Sequence, residues 1–254
     1  MWKMMGGNAG SMRAKGIFIS GTDTGVGKTI VAAAFALSLQ KAGFRVAVLK
    51  PVTSGAVLVN GRLVSEDAEL LRWASACTAP DSDIAPYLLR EPLAPSESAA
   101  REGVVIQLKS IQAAFERLST THDFVIVEGA GGLLVPLAND FLVADLVNAL
   151  SLPLLIVARP NLGTVNHTLM TCECARSRGI EVLGVVINGQ PEQPGPAEEY
   201  AARVISDFAA VPVVAVLPRC SGTDEKTLVK ILSECADMPT LAKLLSLEAP
   251  HEIS

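Results

Sequence analysis

Aromatic residues are scarce: two Trp, two Tyr and seven Phe make up 4% of the 254 residues. Half of the residues are nonetheless hydrophobic, so the core must be aliphatic, built from Val, Leu, Ile and Ala. Continuous aliphatic strands suit a parallel sheet covered on both faces. Cysteine is also sparse and odd in number. Cys77, Cys172, Cys174, Cys220 and Cys235 are dispersed, which excludes a disulfide framework and points to a reducing, cytoplasmic compartment. Cys172 and Cys174 fall in a helical pattern, where positions two apart face different ways, so they read as packing rather than metal binding. No apolar run approaches the ~18 residues of a membrane span. Residues 1–15 lack the apolar segment of a secretory signal and read as a flexible extension. Positive charge is not in excess: the net charge of −5 argues against a nucleic-acid binder that works by neutralising phosphates. With no repeat and no linker, residues 16–254 read as one domain.

What the chain does have is a glycine loop in a telling place. Gly16–Ser20 reads as a short buried strand, followed by Gly21-Thr22-Asp23-Thr24-Gly25-Val26-Gly27 and then Lys28-Thr29-Ile30, which open an Ala-rich amphipathic helix. Strand, glycine loop and helix in that order are what a phosphate-binding loop requires. The loop must turn several backbone N–H groups onto one anion, and a Cβ would obstruct the approach. The helix start adds unpaired N–H groups and the positive end of its dipole. The segment Gly25 to Ile30 is therefore the candidate nucleotide site, with Lys28 on the β/γ-phosphates and the Thr29 hydroxyl on Mg²⁺. The strict spacing is not met, because Thr22 stands where the first glycine belongs.

A second strand, Phe44–Leu49, runs into Lys50-Pro51-Val52-Thr53-Ser54-Gly55. A lysine just past the carboxyl end of a strand stands where open α/β sheets bind ligands. Asn60-Gly61 within Val57–Val64 suggests a hairpin. Ser65 reads as the cap of a helix over Ala68–Ala76, and Asp67 is a candidate metal ligand. Thr78–Gly103 is Pro-rich and reads as a long functional loop with one short strand or turn near Tyr87–Leu89. After a helix over Val104–Ser119, the strand Asp123–Glu128 ends in an acid followed by Gly129-Ala130-Gly131-Gly132. An acid at such a strand end can hold Mg²⁺, and the glycines, Gly131 among them, let backbone approach the phosphates. A helix over Asp140–Leu150, a strand over Leu152–Ala158 and a helix over Thr164–Arg178 follow. Thr164 and Asn166 stand at the start of that helix, where free N–H groups suit a carboxylate. Strands over Glu181–Ile187 and Val213–Leu217 flank a helix over Glu198–Ala209, and helical pieces over Lys226–Ala236 and Thr240–Leu247 close the chain. The β-α alternation predicts an α/β fold with a mostly parallel central sheet and helices on both faces.

The segments Gly21–Thr29, Lys50–Gly55, Val127–Gly132 and Leu162-Gly163-Thr164-Val165-Asn166-His167 together resemble dethiobiotin synthetases of the biotin pathway, in that family's order, from Gly16 to Pro218. The resemblance implies a three-layer P-loop NTPase fold and a carboxylating ring closure of 7,8-diaminononanoate with CO₂ and MgATP. Lys28 and Lys50 would be the catalytic cations, and Thr29, Asp67 and Glu128 would hold Mg²⁺. Thr24 and Ser54 would bond the carbamate or amine end of the substrate. Asn188 would read adenine, with the backbone near Pro218 beside the base. It further implies a homodimer with the substrate at the subunit interface. Gly163, Thr164 and Asn166 of the other subunit would hold the carboxylate, with Tyr200 a further contact, and neither nucleic acid nor membrane would be a partner. One departure is Ser96-Glu97-Ser98, where many members read Ser-Pro-His at the substrate end. Three other readings share the loop. A cobyrinate-type amidotransferase synthetase would need a glutaminase domain, for which there is no length. A partition-type ATPase would carry Lys in place of Asp23, and a binding module without catalysis would not need Lys28, Thr29, Lys50, Asp67 and Glu128 together.

Overall fold

The computed structural model describes residues 15–138, 141–220 and 222–236, together with 240, 243 and 245. It opens with β1 (Lys15–Gly21) and α1 (Lys28–Lys41), then β2 (Val46–Leu49), β3 (Val52–Ser54) and a hairpin of β4 (Val57–Val59) and β5 (Arg62–Val64). Helices α2 (Glu66–Ser75) and α3 (Asp81–Ile84) lead to β6 (Tyr87–Leu89), α4 (Pro95–Glu102) and α5 (Leu108–Thr121). β7 (Phe124–Gly132) precedes a small pair, β8 (Pro136–Ala138) and β9 (Phe141–Leu142), and α6 (Val143–Leu150). Then β10 (Leu154–Ala158), α7 (Thr164–Ser177), β11 (Val182–Gln190), α8 (Pro196–Ala209), β12 (Val213–Pro218) and α9 (Glu225–Cys235) alternate.

Six strands form one sheet in the order β12-β11-β10-β1-β7-β2, with every neighbouring pair parallel. Every residue of β2 and β10 is buried, so both faces are covered, as the aliphatic composition led us to expect. Strand order reverses at β1: the chain steps outward to β2, returns through β7, and then crosses to β10 on the other side. The crevice beyond the carboxyl end of β1 is thus the topological switch point where such sheets bind ligands. The glycine loop stands there.

Several elements differ from the sequence reading. Helix α1 is not amphipathic: Val31 to Leu37 and Leu39 are all buried, because α2 and α9 cover the side turned away from the sheet. Its run of alanines allows that close approach. In the Pro-rich stretch the short strand expected near Tyr87–Leu89 is β6, but helices α3 and α4 stand on either side of it where loop was expected. Helix α5 starts at Leu108, since the Tyr87 hydroxyl accepts the Gln107 N–H and keeps the preceding backbone extended. Helix α6 starts at Val143, where the Asp145 carboxylate accepts the Leu142 N–H; Asp140 lies outside the described residues. So do residues 1–14, while Lys15 belongs to β1, opposite Phe124. The expected helix over Thr240–Leu247 falls almost wholly outside them as well. The hairpin turn at Asn60-Gly61 has φ of 50° and 80°, the positive values that a two-residue turn requires.

Candidate active site

Glu128 is reached by a longer strand than its neighbours predict. β7 continues through the glycines to Gly132, so Glu128 lies within it, opposite Ile19. Gly129 is required there, because a Cβ would stand 2.8 Å from the Phe18 ring. Glu128 is 1% exposed, and a carboxylate so buried needs a cation. Lys50, buried just past β2 with its N–H on the Ile84 carbonyl, supplies it: Nζ lies 2.5 Å from Glu128 Oε1 and 2.9 Å from Asp67 Oδ2. The Thr29 hydroxyl donates to Glu128 Oε1 at 2.9 Å. Asp67 is set by the first turn of α2, capped by Ser65, whose Oγ accepts the Ala68 N–H and the Thr53 hydroxyl.

These contacts fix the charge states. Burial alone would lower the Lys50 pKa, but Glu128 and Asp67 outweigh it and hold the ammonium above its ordinary range. Burial would raise Asp67, and Lys50 overrides that and holds it below the usual carboxylate value. Burial lowers the Lys28 pKa despite the Glu128 charge, so an anion entering beside Lys28 would relieve a desolvated cation.

Lys28, Thr29, Ile30, Lys50, Asp67 and Glu128 line one cavity of about 1020 Å³, which Thr24, Gly25, Gly27, Ser54 and Gly131 also border. Gly25 and Gly27 have φ of 73° and 87°, and a Cβ on Gly27 would meet Asn188 Nδ2 at 2.1 Å. That carboxamide donates to the Val26 carbonyl at 3.0 Å. Asn188 faces a separate cavity of about 350 Å³ shared with Gly25, Val26, Arg159 and Arg219. Pro218 is exposed at the end of β12 and borders a third cavity, together with Arg219.

The structure does not bring Gly163, Thr164, Asn166 and Tyr200 to the lysines: none of them lines the large cavity. They lie on α7, its N-cap and α8. Thr164 is buried with its hydroxyl unpartnered, whereas Asn166 is exposed and reaches Met170 Sδ. Ser96-Glu97-Ser98 does not border the cavity either. It lies in α4, with Ser98 Oγ bonded to the Glu91 carbonyl and Glu102, and the wall is made by Leu93, Ala94 and Pro95 just before it. The Pro-rich composition was the signal for that wall. Arg159, which pairs with Asp23, was not singled out in the sequence, and no local pattern marks it.

A family model described as an AAA domain matches residues 15–227. The sequence is 37% identical to the ATP-dependent dethiobiotin synthetase BioD of Bacillus licheniformis, over 92% of this chain and 99% of the relative. It is 39% identical to the BioD of Anoxybacillus flavithermus, over 85% of this chain and 96% of that one. Among solved structures, the septum site-determining protein MinD of Pyrococcus horikoshii, complexed with Mg-ADP, superposes with a TM-score of 0.55 at 16% identity, covering 91% of this chain and 98% of that one. A ParA family ATPase from Chlorobium tepidum gives 0.52 at 16% identity, covering 92% and 96%. At that identity the likeness is one of fold. By sequence along nearly its full length, the chain belongs to the ATP-dependent dethiobiotin synthetase family.

Proposed function

We propose that the protein is the dethiobiotin synthetase of biotin biosynthesis, joining 7,8-diaminononanoate and CO₂ at the expense of ATP, with residues 16–254 acting as one domain. The observation that carries this reading is the convergence of Lys28, Thr29, Lys50, Asp67 and Glu128 on one cavity at the carboxyl end of β1. Phosphoryl transfer asks the protein for alignment and charge neutralisation more than for a nucleophile. One substrate amine takes up CO₂ as a carbamate. A carbamate oxygen attacks the γ-phosphorus of ATP, giving a carbamic–phosphoric anhydride and ADP. The second amine attacks the carbamoyl carbon, closes the cyclic urea and expels phosphate. Lys28 and Lys50 face the negative charge shared between phosphoryl and carbamate oxygens, while Thr24 and the unpartnered hydroxyl of Ser54 hydrogen-bond the carbamate or amine end. Glycine-loop N–H groups hold the phosphates, and Asn188 with the Pro218 backbone takes the base.

The donor set of Thr29, Asp67 and Glu128 fits Mg²⁺, an oxygen-seeking cation. Glu128 Oε2 is buried and has no hydrogen-bond partner, as a ligand oxygen would be. Thr29, Asp67 and Glu128 would hold the ion, and when bound it would supply positive charge that neutralises the phosphates.

Leu162, just before α7, and Met170, within it, are 79% and 62% exposed, and Leu134 and Met170 border a cavity that reaches Asp23 and Thr24 behind the glycine loop. We read this face as the homodimer contact, with Gly163, Thr164, Asn166 and Tyr200 of one copy serving the lysines of the other. No helix among the described residues is long and apolar enough to cross a membrane, and the five free cysteines suit the cytoplasm. The test is phosphate release from MgATP with and without the diamine and bicarbonate, with mass spectrometry of the product. Diamine-dependent phosphate and a cyclic urea are expected; phosphate release indifferent to the diamine would refute the reading.

A further inference from the structure

Two side chains reach the glycine loop from neighbouring strands. Asn188 of β11 holds the Val26 carbonyl. Arg159, the residue after β10, forms an ion pair with the Asp23 carboxylate. The other oxygen of that carboxylate accepts the Thr24 N–H at 2.7 Å, so Asp23 is gripped on both sides. Its main-chain carbonyl points inward: a Cβ on Gly21 would stand 2.6 Å from it and 3.3 Å from Lys28 Nζ. Lys28 Nζ donates to this carbonyl at 3.4 Å. The residue that Arg159 holds by its side chain therefore holds Lys28 by its backbone.

A lysine ammonium sits on a flexible four-carbon stem, so the start of α1 does not by itself determine where the charge stands. We infer that Arg159 is a positioning residue for phosphoryl transfer: by fixing Asp23 it sets the position of the Lys28 ammonium against the phosphates. This rests on the reading of the large cavity as the ATP site. Asp23 and Arg159 are 136 residues apart in the chain, and the pair joins the glycine loop to the end of the adjacent strand β10, alongside the main-chain bond from Thr22 N–H to the Val157 carbonyl. That backbone bond secures the loop's start without Arg159, which leaves the arginine to orient the Asp23 peptide.

The experiment is a double-mutant cycle of R159M, D23N and the combined variant, with R159K as the conservative change, reading kcat, KM for ATP and MgADP affinity. R159M and D23N are each expected to lower kcat roughly tenfold to a hundredfold, the scale of an ångström-sized misplacement, with MgADP affinity little changed. The combined variant should be no slower than the slower single one, because both changes cut the same link, and R159K should recover part of the loss. Wild-type kcat in R159M would overturn the inference, as would losses that multiply, which would mean that Arg159 acts on the nucleotide independently of Asp23. If R159M does not fold, D23N decides alone, since it keeps the residue's shape and the Thr24 contact; wild-type kcat there is contrary. Wild-type protein that makes no cyclic urea fails the functional reading only, and the cycle is then read in nucleotide-dependent phosphate release.

Discussion

The two ends of the proposed substrate path are built in different ways. At the phosphate end, Lys28, Asp67 and Glu128 come from α1, α2 and β7, Lys50 from the segment just past β2, and the four meet around one cavity within a single chain. There buried Lys50 and Glu128 neutralise each other, with half-exposed Asp67 completing the cluster. At the carboxylate end, Gly163, Thr164, Asn166 and Tyr200 present a helix start and two exposed side chains with none of the buried ion pairs, bordered by exposed Leu162 and Met170. The first arrangement is complete because ion pairs inside a fold must be closed locally. The second is open because its counterpart is argued to come from another copy, related by a two-fold axis.

Breaking the phosphate end should have the larger effect. Lys50→Ala is expected to lower turnover by about a hundred- to a thousandfold, the scale for losing one donor aimed at developing charge, while MgADP still binds by calorimetry. It also leaves buried Glu128 without its cation, so thermal or denaturant unfolding should show a stability loss of about 3–5 kcal/mol. Unchanged turnover would remove Lys50 from the mechanism.

The carboxylate end is tested by charge reversal. Asn166→Asp places a like charge beside the substrate carboxylate and should raise its KM roughly a hundredfold, without altering nucleotide binding. Mixing the Lys50→Ala and Asn166→Asp proteins sharpens the contrast. If each site takes Lys50 from one copy and Asn166 from its partner, random exchange restores about a quarter of the sites. Activity that stays at the level of the separate variants would place both ends in one chain.

A smaller effect concerns acid. The folded Asp67 carboxyl lies below its ordinary 3.8, so the stability it contributes is present above that value and is lost as pH falls through the folded one. The melting temperature should be level from neutral pH to about 4 and fall below it. Asp67→Asn should flatten part of that slope, whereas Tyr200→Phe at the other end should leave it unchanged.

The phosphate end was also the more legible in sequence, for a physical reason. Glycine loops and strand-end acids announce themselves because a few adjacent residues impose the geometry: Gly27 needs its positive φ and Glu128 needs glycines beyond it. Lys50 could be read because it follows a strand directly. Ser65 as a helix cap and the Asn60-Gly61 turn are local in the same way. Arg159 on Asp23 and Asn188 on Val26 could not be read, since each contact spans more than a hundred residues and depends on β10 and β11 lying beside β1. The burial of α1 escaped for a similar reason: its outer face is covered by α9 from the far end of the chain. In the Pro-rich stretch, short helices α3 and α4 were hidden because prolines open helices as readily as they mark loops.

The most direct test of ATP-coupled carboxylation follows one oxygen. With bicarbonate carrying oxygen-18, the diamine and MgATP, the released phosphate is analysed by mass spectrometry before the label exchanges with water. The carbamate route predicts one labelled oxygen in each phosphate and label retained in the urea carbonyl. Phosphate whose new oxygen comes from water alone would contradict it.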